Sequence, residues 1–414
     1  KLLGNEGYLN FDEWYIYGKE SSIQKTIIEE NTTFEDEVLS FKYNPNQYPD
    51  IVYDFTLKDT KSDWLTYANS IGTHDVTDWV ANFGAREGGV FKSGSTVGSF
   101  TLNAVPSGYN YMTVEYGNPE NVGTVRIYIN NTEVDRVGAN TYTTYSQTVS
   151  AGDVFKIEEH GASIIGEDLK ITLSNTQTEY TINFPEETEC DILIVGGGGS
   201  GGNYDGGGGG AGGVIYATGV DIPTGTYTIK VGNGGDEVTT NETPGNNGYG
   251  SEFLGAVALG GGGGGCGDNS SSNPDGKDGG SGGGGGFDNP VRNNQGSSIQ
   301  EKTQSNFSST YGNLYAYLNA TGTFNVYGNH GGHGNNDTQS NATDAKGGGG
   351  GGAGSAGIDG DVGTNQGNGG DGVQINITGT NVWYAGGGGG AGDSSVGIGG
   401  SGVGGLSIEM EMTM

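Results

Sequence analysis

A chain of 414 residues allows two or three domains, but only 32% of its residues are hydrophobic and 87 are glycine, roughly three times the usual share of about 7%, which excludes a large conventional core along the whole length. Acidic residues outnumber basic ones 49 to 17, and the net charge of −32 opposes nucleic-acid binding, which draws on Lys and Arg, as well as docking on anionic membranes. No run approaches the roughly 18 apolar residues of a bilayer span, so membrane insertion is not expected. The chain opens on Lys1 without a signal peptide, from which we expect a processed or internal piece. Nine Asn-x-Ser/Thr sequons, at Asn31, Asn130, Asn241, Asn269, Asn306, Asn319, Asn336, Asn341 and Asn376, fit a secreted protein.

In chain order, residues 1–45 carry a Trp/Tyr cluster (Trp14, Tyr15, Tyr17) and a charged stretch through Glu37, and read as a strand pair or as an arm that packs on a neighbouring chain. Residues 46–180 read as a β-sandwich. The runs Tyr111-Met-Thr-Val-Glu-Tyr116, Thr124-Val-Arg-Ile-Tyr-Ile129, Val154-Phe-Lys-Ile157 and Asp168-Leu-Lys-Ile-Thr-Leu173 alternate apolar and polar residues at period two between turns rich in Gly, Asn and Pro. The stretch Val125-Arg-Ile-Tyr-Ile-Asn-Asn-Thr-Glu-Val, followed by Val149-Ser-Ala-Gly-Asp-Val-Phe, loosely resembles the jelly-roll modules of carbohydrate-binding proteins.

Residues 181–414 obey different physics, since only 16 of the 87 glycines precede Cys190. Three times a short apolar strand runs straight into a glycine tract: Asp191-Ile-Leu-Ile-Val into 196–199, Ala256-Val-Ala-Leu into 260–265, and Val382-Trp-Tyr-Ala into 386–390. Further tracts lie at 206–210, 282–286 and 347–352, and further strands are expected at Val214-Ile-Tyr216, Tyr227-Thr-Ile-Lys-Val231, Phe324-Asn-Val-Tyr327, Val373-Gln-Ile-Asn-Ile377 and Leu406-Ser-Ile-Glu-Met410.

An isolated glycine tract is a floppy linker, because glycine loses the most backbone entropy on ordering. Linkers join domains, however, whereas these tracts leave strands repeatedly within one. Extended helices of the polyproline II type have three residues per turn and no internal hydrogen bonds, so every N–H and C=O is free to pair sideways. Side-by-side packing of such helices tolerates no Cβ, and an all-glycine bundle replaces an apolar core with a hydrogen-bonded lattice. Gly196, Gly208, Gly262, Gly284, Gly349 and Gly388 are the expected structural positions, one in each tract.

The succession Cys190-Asp-Ile-Leu-Ile-Val-Gly-Gly-Gly-Gly-Ser-Gly-Gly, five glycines from Gly206 followed by Ala-Gly-Gly-Val-Ile-Tyr, Gly225-Thr-Tyr-Thr-Ile-Lys-Val-Gly-Asn-Gly-Gly, and Gly255-Ala-Val-Ala-Leu-Gly-Gly resembles the glycine-rich domain. That domain occurs in tail-tip adhesins of some T-even-like phages, in surface proteins of aquatic and giant algal viruses, and in the ectodomain of the anaplastic lymphoma kinase receptor. The resemblance implies an all-β fold, a small β-sandwich fused to a polyglycine II bundle behind the N-terminal sandwich. In the phage members, loops at the bundle tip bind the host receptor. This chain lacks the cysteines, kinase and membrane segment of the receptor branch.

Several motifs look chemical and read otherwise in context. Asp191-Ile-Leu-Ile-Val-Gly196-Gly-Gly198-Gly-Ser-Gly201 mimics a dinucleotide fingerprint, but the glycines that follow Asn203-Tyr-Asp exclude the helix that would carry a pyrophosphate, and no P-loop is present. His330-Gly-Gly-His333 lacks a third ligand, and Asp275-Gly-Lys-Asp278 and Asp359-Gly-Asp361 lack the remainder of a calcium loop, so these read as polar loops and solvated turns. We expect no metal, no cofactor and no catalysis. Cys190 and Cys266 exclude a disulfide-stapled scaffold and leave room for one bridge, given antiparallel placement of their strand units.

Candidate receptor-binding residues are Tyr204, Phe287, Arg292, Tyr311, Tyr315 and Tyr317. Residues 287–345 set aromatics, Phe307 among them, within Asn, Ser, Gly and Thr, which is the mixture of binding paratopes and equally that of a partly buried hairpin with core tyrosines. The expected function is a virion surface structural protein (spike, fibre or capsid decoration) with host attachment as its task. Its partners would be a host-surface glycan or receptor and other virion or filament subunits, including copies of itself. The alternatives are a cellular extracellular filament or matrix protein, and a lectin-like or carbohydrate-active module in the first half.

Overall fold

In the computed structural model the alternation at 124–129 becomes the strand Thr124–Ile129, with Val125, Ile127 and Ile129 buried on one face and Arg126 and Tyr128 half-buried on the other. Asn130 and Asn131, both at positive φ (49° and 65°), then turn the chain into Thr132–Val137, as a two-residue hairpin requires. The structure describes residues 14–17, 22–25, 32–35, 38–43, 49–55, 61–75, 78–81, 89–92, 98–118, 123–139, 141–160, 164–165, 169–239, 242–267, 275–287, 294–335, 346–360, 367–392, 396–402 and 407–412. They fall into two compact units, residues 45–176 and residues 1–44 with 177–414.

The first unit pairs Thr141–Thr148, Tyr111–Asn118, Lys170–Ser174 and Ile51–Asp54 in one sheet, and Thr132–Val137, Thr124–Ile129, Phe155–His160, Gly98–Leu102 and Gly72–Asp75 in a second. Met112, Val114 and Ile171 from one sheet meet Val125, Ile127, Phe155 and Ile157 from the other in a single core. Sequence periodicity missed the helix Lys61–Ile71. Trp64, Ala68 and Ile71 lie at i, i+4 and i+7 on its inner face, and Trp64 and Ala68 are fully buried beside Phe55 and Phe100.

The second unit contains a four-stranded sheet (Gln177–Phe184, Gly225–Gly232, Ser251–Phe253, Ala256–Ala258) and a six-stranded one in the order Leu318–Tyr327, Val214–Ile222, Thr188–Val195, Ser407–Met412, Val38–Lys42, Thr32–Glu35. Residues from near both ends of the chain thus pair side by side. The strand Thr188–Val195 ends in Ile192, Leu193, Ile194 and Val195, apolar and buried on both faces because both are covered there. Ile192 and Ile194 join the core between the sheets, while Leu193 and Val195 pack with Ala211, Ala353, Ile375, Ile377 and Tyr384.

Beyond the strands the glycine tracts run side by side with partners that change at every residue and recur every third. Gly196, Gly199 and Gly202 donate to the carbonyls of Gly213, Gly210 and Gly207 at 3.1, 2.8 and 3.0 Å, whereas Gly197, Ser200 and Asn203 donate to Tyr249, Asn246 and Thr243 at 2.9, 2.9 and 3.0 Å. A period of three is that of polyproline II helices, whose backbone groups point outward in three directions. Among the described residues the tract 206–213 hydrogen-bonds to five others, 196–203, 259–265, 281–287, 346–354 and 385–392.

A Cβ on Gly196, Gly208, Gly262, Gly284 or Gly349 would overlap a neighbouring carbonyl oxygen, of Leu259, Gly388, Lys277, Gly348 and Asn368 respectively. Gly388 is looser, its nearest atom lying at 3.2 Å.

Candidate functional site

The turn joining the tracts 196–203 and 206–213 stands at the end of the bundle away from the strands. Tyr204 and Asp205 occupy it at φ 57° and 47°, a conformation non-glycine residues rarely take. Neighbouring tract ends hold it there. The Gly267 N–H donates to the Tyr204 carbonyl at 2.6 Å, the Phe287 N–H to that of Asp205 at 3.0 Å, and the Asn203 side-chain amide to that of Val238 at 3.2 Å. With its backbone fixed, the Tyr204 side chain is 52% exposed, Phe287 is half-buried nearby, and Asp236, Glu237 and Glu242 are exposed on the adjoining connection. An aromatic face among carboxylates suits a ligand that offers hydroxyl donors and an apolar ring face.

Of the six candidate binding residues, the structure brings Tyr204 and Phe287 together at this end, and Arg292 lies outside the described residues. The other three lie elsewhere: Tyr311 is a correction, and Tyr315 and Tyr317 are half-buried beside it. Tyr311 is fully buried in the core between the sheets, and Tyr315 and Tyr317 pack against that core. Phe307, Tyr311, Tyr315 and Phe324 form a mutual aromatic cluster with ring centroids 5.2–5.7 Å apart. The Tyr311 hydroxyl donates to the Glu301 carbonyl and accepts from the Gln300 amide at 3.0 Å. Short helices at Phe307–Thr310 and Gly312–Ala316 place these rings. They belong to the strand end of the unit, about one tract length, roughly 20 Å, from Tyr204.

The two cysteines are likewise apart. Both are buried and neither forms a disulfide, Cys190 lying within the strand core and Cys266 at the far end of its tract. Their separation is roughly 40 Å from strand and tract rises, against the roughly 7 Å a disulfide spans. Burial pushes the Cys190 thiol well above its ordinary pKa, reinforced by Asp191 and Glu189, so it stays protonated at neutral pH.

The paired acids that resemble calcium turns have a structural task. Asp275 accepts the N–H of Asn294 at 2.7 Å and Asp278 that of Ser297 at 2.6 Å, while Asp359 accepts that of His333 at 2.9 Å. Asn368 and Asp371 accept those of Ile398 and Ser401 in the same way, at 2.9 and 2.7 Å. At the bundle margin, side-chain oxygens three residues apart stand in for the carbonyls of a missing neighbour. Sequence reading also passed over Ile358, Val396 and Ile398, exposed apolar residues at this margin. Their signal is a β-branched residue inside an otherwise small-residue tract.

A family model described as a glycine-rich domain matches residues 174–408, more than half of the chain. Neither the curated proteins nor the solved structures provide a match.

Proposed function

The chain belongs to the glycine-rich domain family, and from that premise we propose that it is a virion surface structural protein, a spike, fibre or capsid decoration, whose bundle end attaches to a host-surface glycan or receptor. The observation that carries this reading is the fixed turn at Asn203, Tyr204 and Asp205. The bundle interior consumes most of its own backbone polar groups and offers few side chains, so side-chain specificity has to reside where side chains emerge. Tyr204 emerges there on a backbone already locked by Gly267 and Phe287, which lowers the ordering cost of binding. Its ring would stack on a sugar face while Asp205, Asp236 and neighbouring amides fix hydroxyls. The proposed role is structural and adhesive, without catalysis, at the virion surface or another extracellular location.

The test combines immunogold imaging of intact virus particles with binding of the purified chain to host cells. Particle labelling, together with binding that falls about thirtyfold in Tyr204→Ala, is the expected result, since removing a central aromatic typically costs about 2 kcal/mol. Labelling confined to cell-surface filaments or matrix would replace the virion reading with the cellular one. Binding that survives Tyr204→Ala but is lost in Tyr142→Ala, an exposed tyrosine of the other unit, would move recognition to the lectin-like module.

A further inference from the structure

A close-packed cylinder has six neighbours, and the tract 206–213 has five among the described residues. The sixth position, between the tracts 196–203 and 385–392, is a groove of about 310 Å³ lined by glycines together with Val195, Ala211 and Ala385. Facing it, the backbone pattern breaks at every third residue. The N–H groups of Gly198 and Gly201, of Gly209 and Gly212, and of Gly386 and Gly389 have no hydrogen-bond partner among the described residues, whereas the amides between them are paired. Gly209 and Gly212 are buried, where an unpaired donor costs about 1–3 kcal/mol.

We propose that this groove binds one extended glycine-rich strand of polyproline II form, supplied by another polypeptide, which completes the lattice as the sixth neighbour. Three features select that occupant. Donors three residues apart are separated by about 9.3 Å along a tract, the repeat of a polyproline II strand and not the 6.6–6.8 Å two-residue repeat of a β-strand. Occupied lattice positions bring backbones so close that a Cβ overlaps a carbonyl, so the strand needs glycine on the two faces turned to the tracts and accepts any residue on the third, a Gly-Gly-x repeat. The lining carries no charged side chain, and the chain's net charge of −32 disfavours an anion as the partner of these amides.

The groove also supplies its own test, because two of its glycines tolerate substitution. A Cβ on Gly198 would have its nearest neighbour at 3.8 Å and one on Gly201 at 3.6 Å, ordinary contact distances, so the G198A/G201A double variant should fold while obstructing the groove. We would titrate the full chain with a neutral Gly-Gly-Asn peptide of about nine residues, which spans ~28 Å. Binding would be followed by calorimetry and by residue-resolved amide exchange. The expected result is saturable binding, new protection at Gly198, Gly209 and Gly389, and affinity at least about tenfold weaker in the double variant, with circular dichroism and exchange at Gly207 and Gly210 unchanged. Should the double variant fail to fold, the single variant Gly201→Ala takes its place. No binding to the native chain, equal binding of an Ala-Ala-Asn peptide, or undiminished binding by the folded variant would overturn the proposal. None of these outcomes depends on where the protein resides.

Discussion

Asp371 accepts the backbone N–H of Ser401 at 2.7 Å, one turn along from Asn368, which accepts that of Ile398 at 2.9 Å. Polar side chains at period three therefore close the lattice where glycine tracts run out of neighbours. Asp371→Ala should cost about 1 kcal/mol, because both groups are exposed and water replaces part of the bond. Exchange of the Ser401 amide should rise about fivefold. Asp371→Asn, which keeps an acceptor, should leave both near native values, as measured by denaturant titration and amide exchange.

Glycine positions should divide sharply by lattice environment. Gly262→Val drives a branched side chain into the Lys277 carbonyl, with backbone on every side and nothing flexible to give. A loss of about 4 kcal/mol or more is expected, an exceptional value for one surface-distant substitution. Gly201→Ala should stay within about 0.5 kcal/mol of native.

Tyrosines should divide as well. Tyr311→Ala removes a fully buried ring with two hydroxyl hydrogen bonds and should destabilise its unit by about 3–5 kcal/mol. Tyr204→Ala should leave the denaturation midpoint unchanged. Any loss of binding in Tyr311→Ala would therefore track unfolding, and the two effects separate when binding and stability are measured on the same sample.

Glu301 should titrate far below an ordinary glutamate. Hydrogen bonds from the Asn306 side chain and from Thr303 hold its pKa at about 2. The folded value lies below the unfolded one, so the stabilisation is fully present above about pH 4.5 and disappears as pH falls through about 2. Carboxyl chemical shifts followed from pH 1 to 6 check this, and a midpoint near 4.5 would contradict it.

Strand and tract order was legible in the sequence because each rests on a local pattern. Period-two alternation marks Thr124–Ile129, and the unbroken apolar run from Ile192 to Val195 marks the doubly covered end of Thr188–Val195. The pairing of Val38–Lys42 with Ser407–Met412 carries no local signal, since it joins segments from near both ends of the chain. The helix Lys61–Ile71 is hard to read from sequence although Trp64, Ala68 and Ile71 keep helical spacing, because polar residues around them dilute the apolar stripe. Tyr311 and Tyr204 both sit among Gly, Asn and Ser, and a tyrosine serves equally in a core or at a tip. Burial decided between them, and burial is a tertiary property.

The central claim is that the glycine tracts are an ordered lattice and not linkers. Residue-resolved amide exchange on the unliganded chain tests it most directly. Gly207, Gly208, Gly210 and Ala211, Gly261 through Gly265, and Gly387, Gly388 and Gly390 should be protected, whereas Gly209 and Gly389 should exchange fast between protected neighbours. Uniformly fast exchange through all these tracts would contradict the lattice.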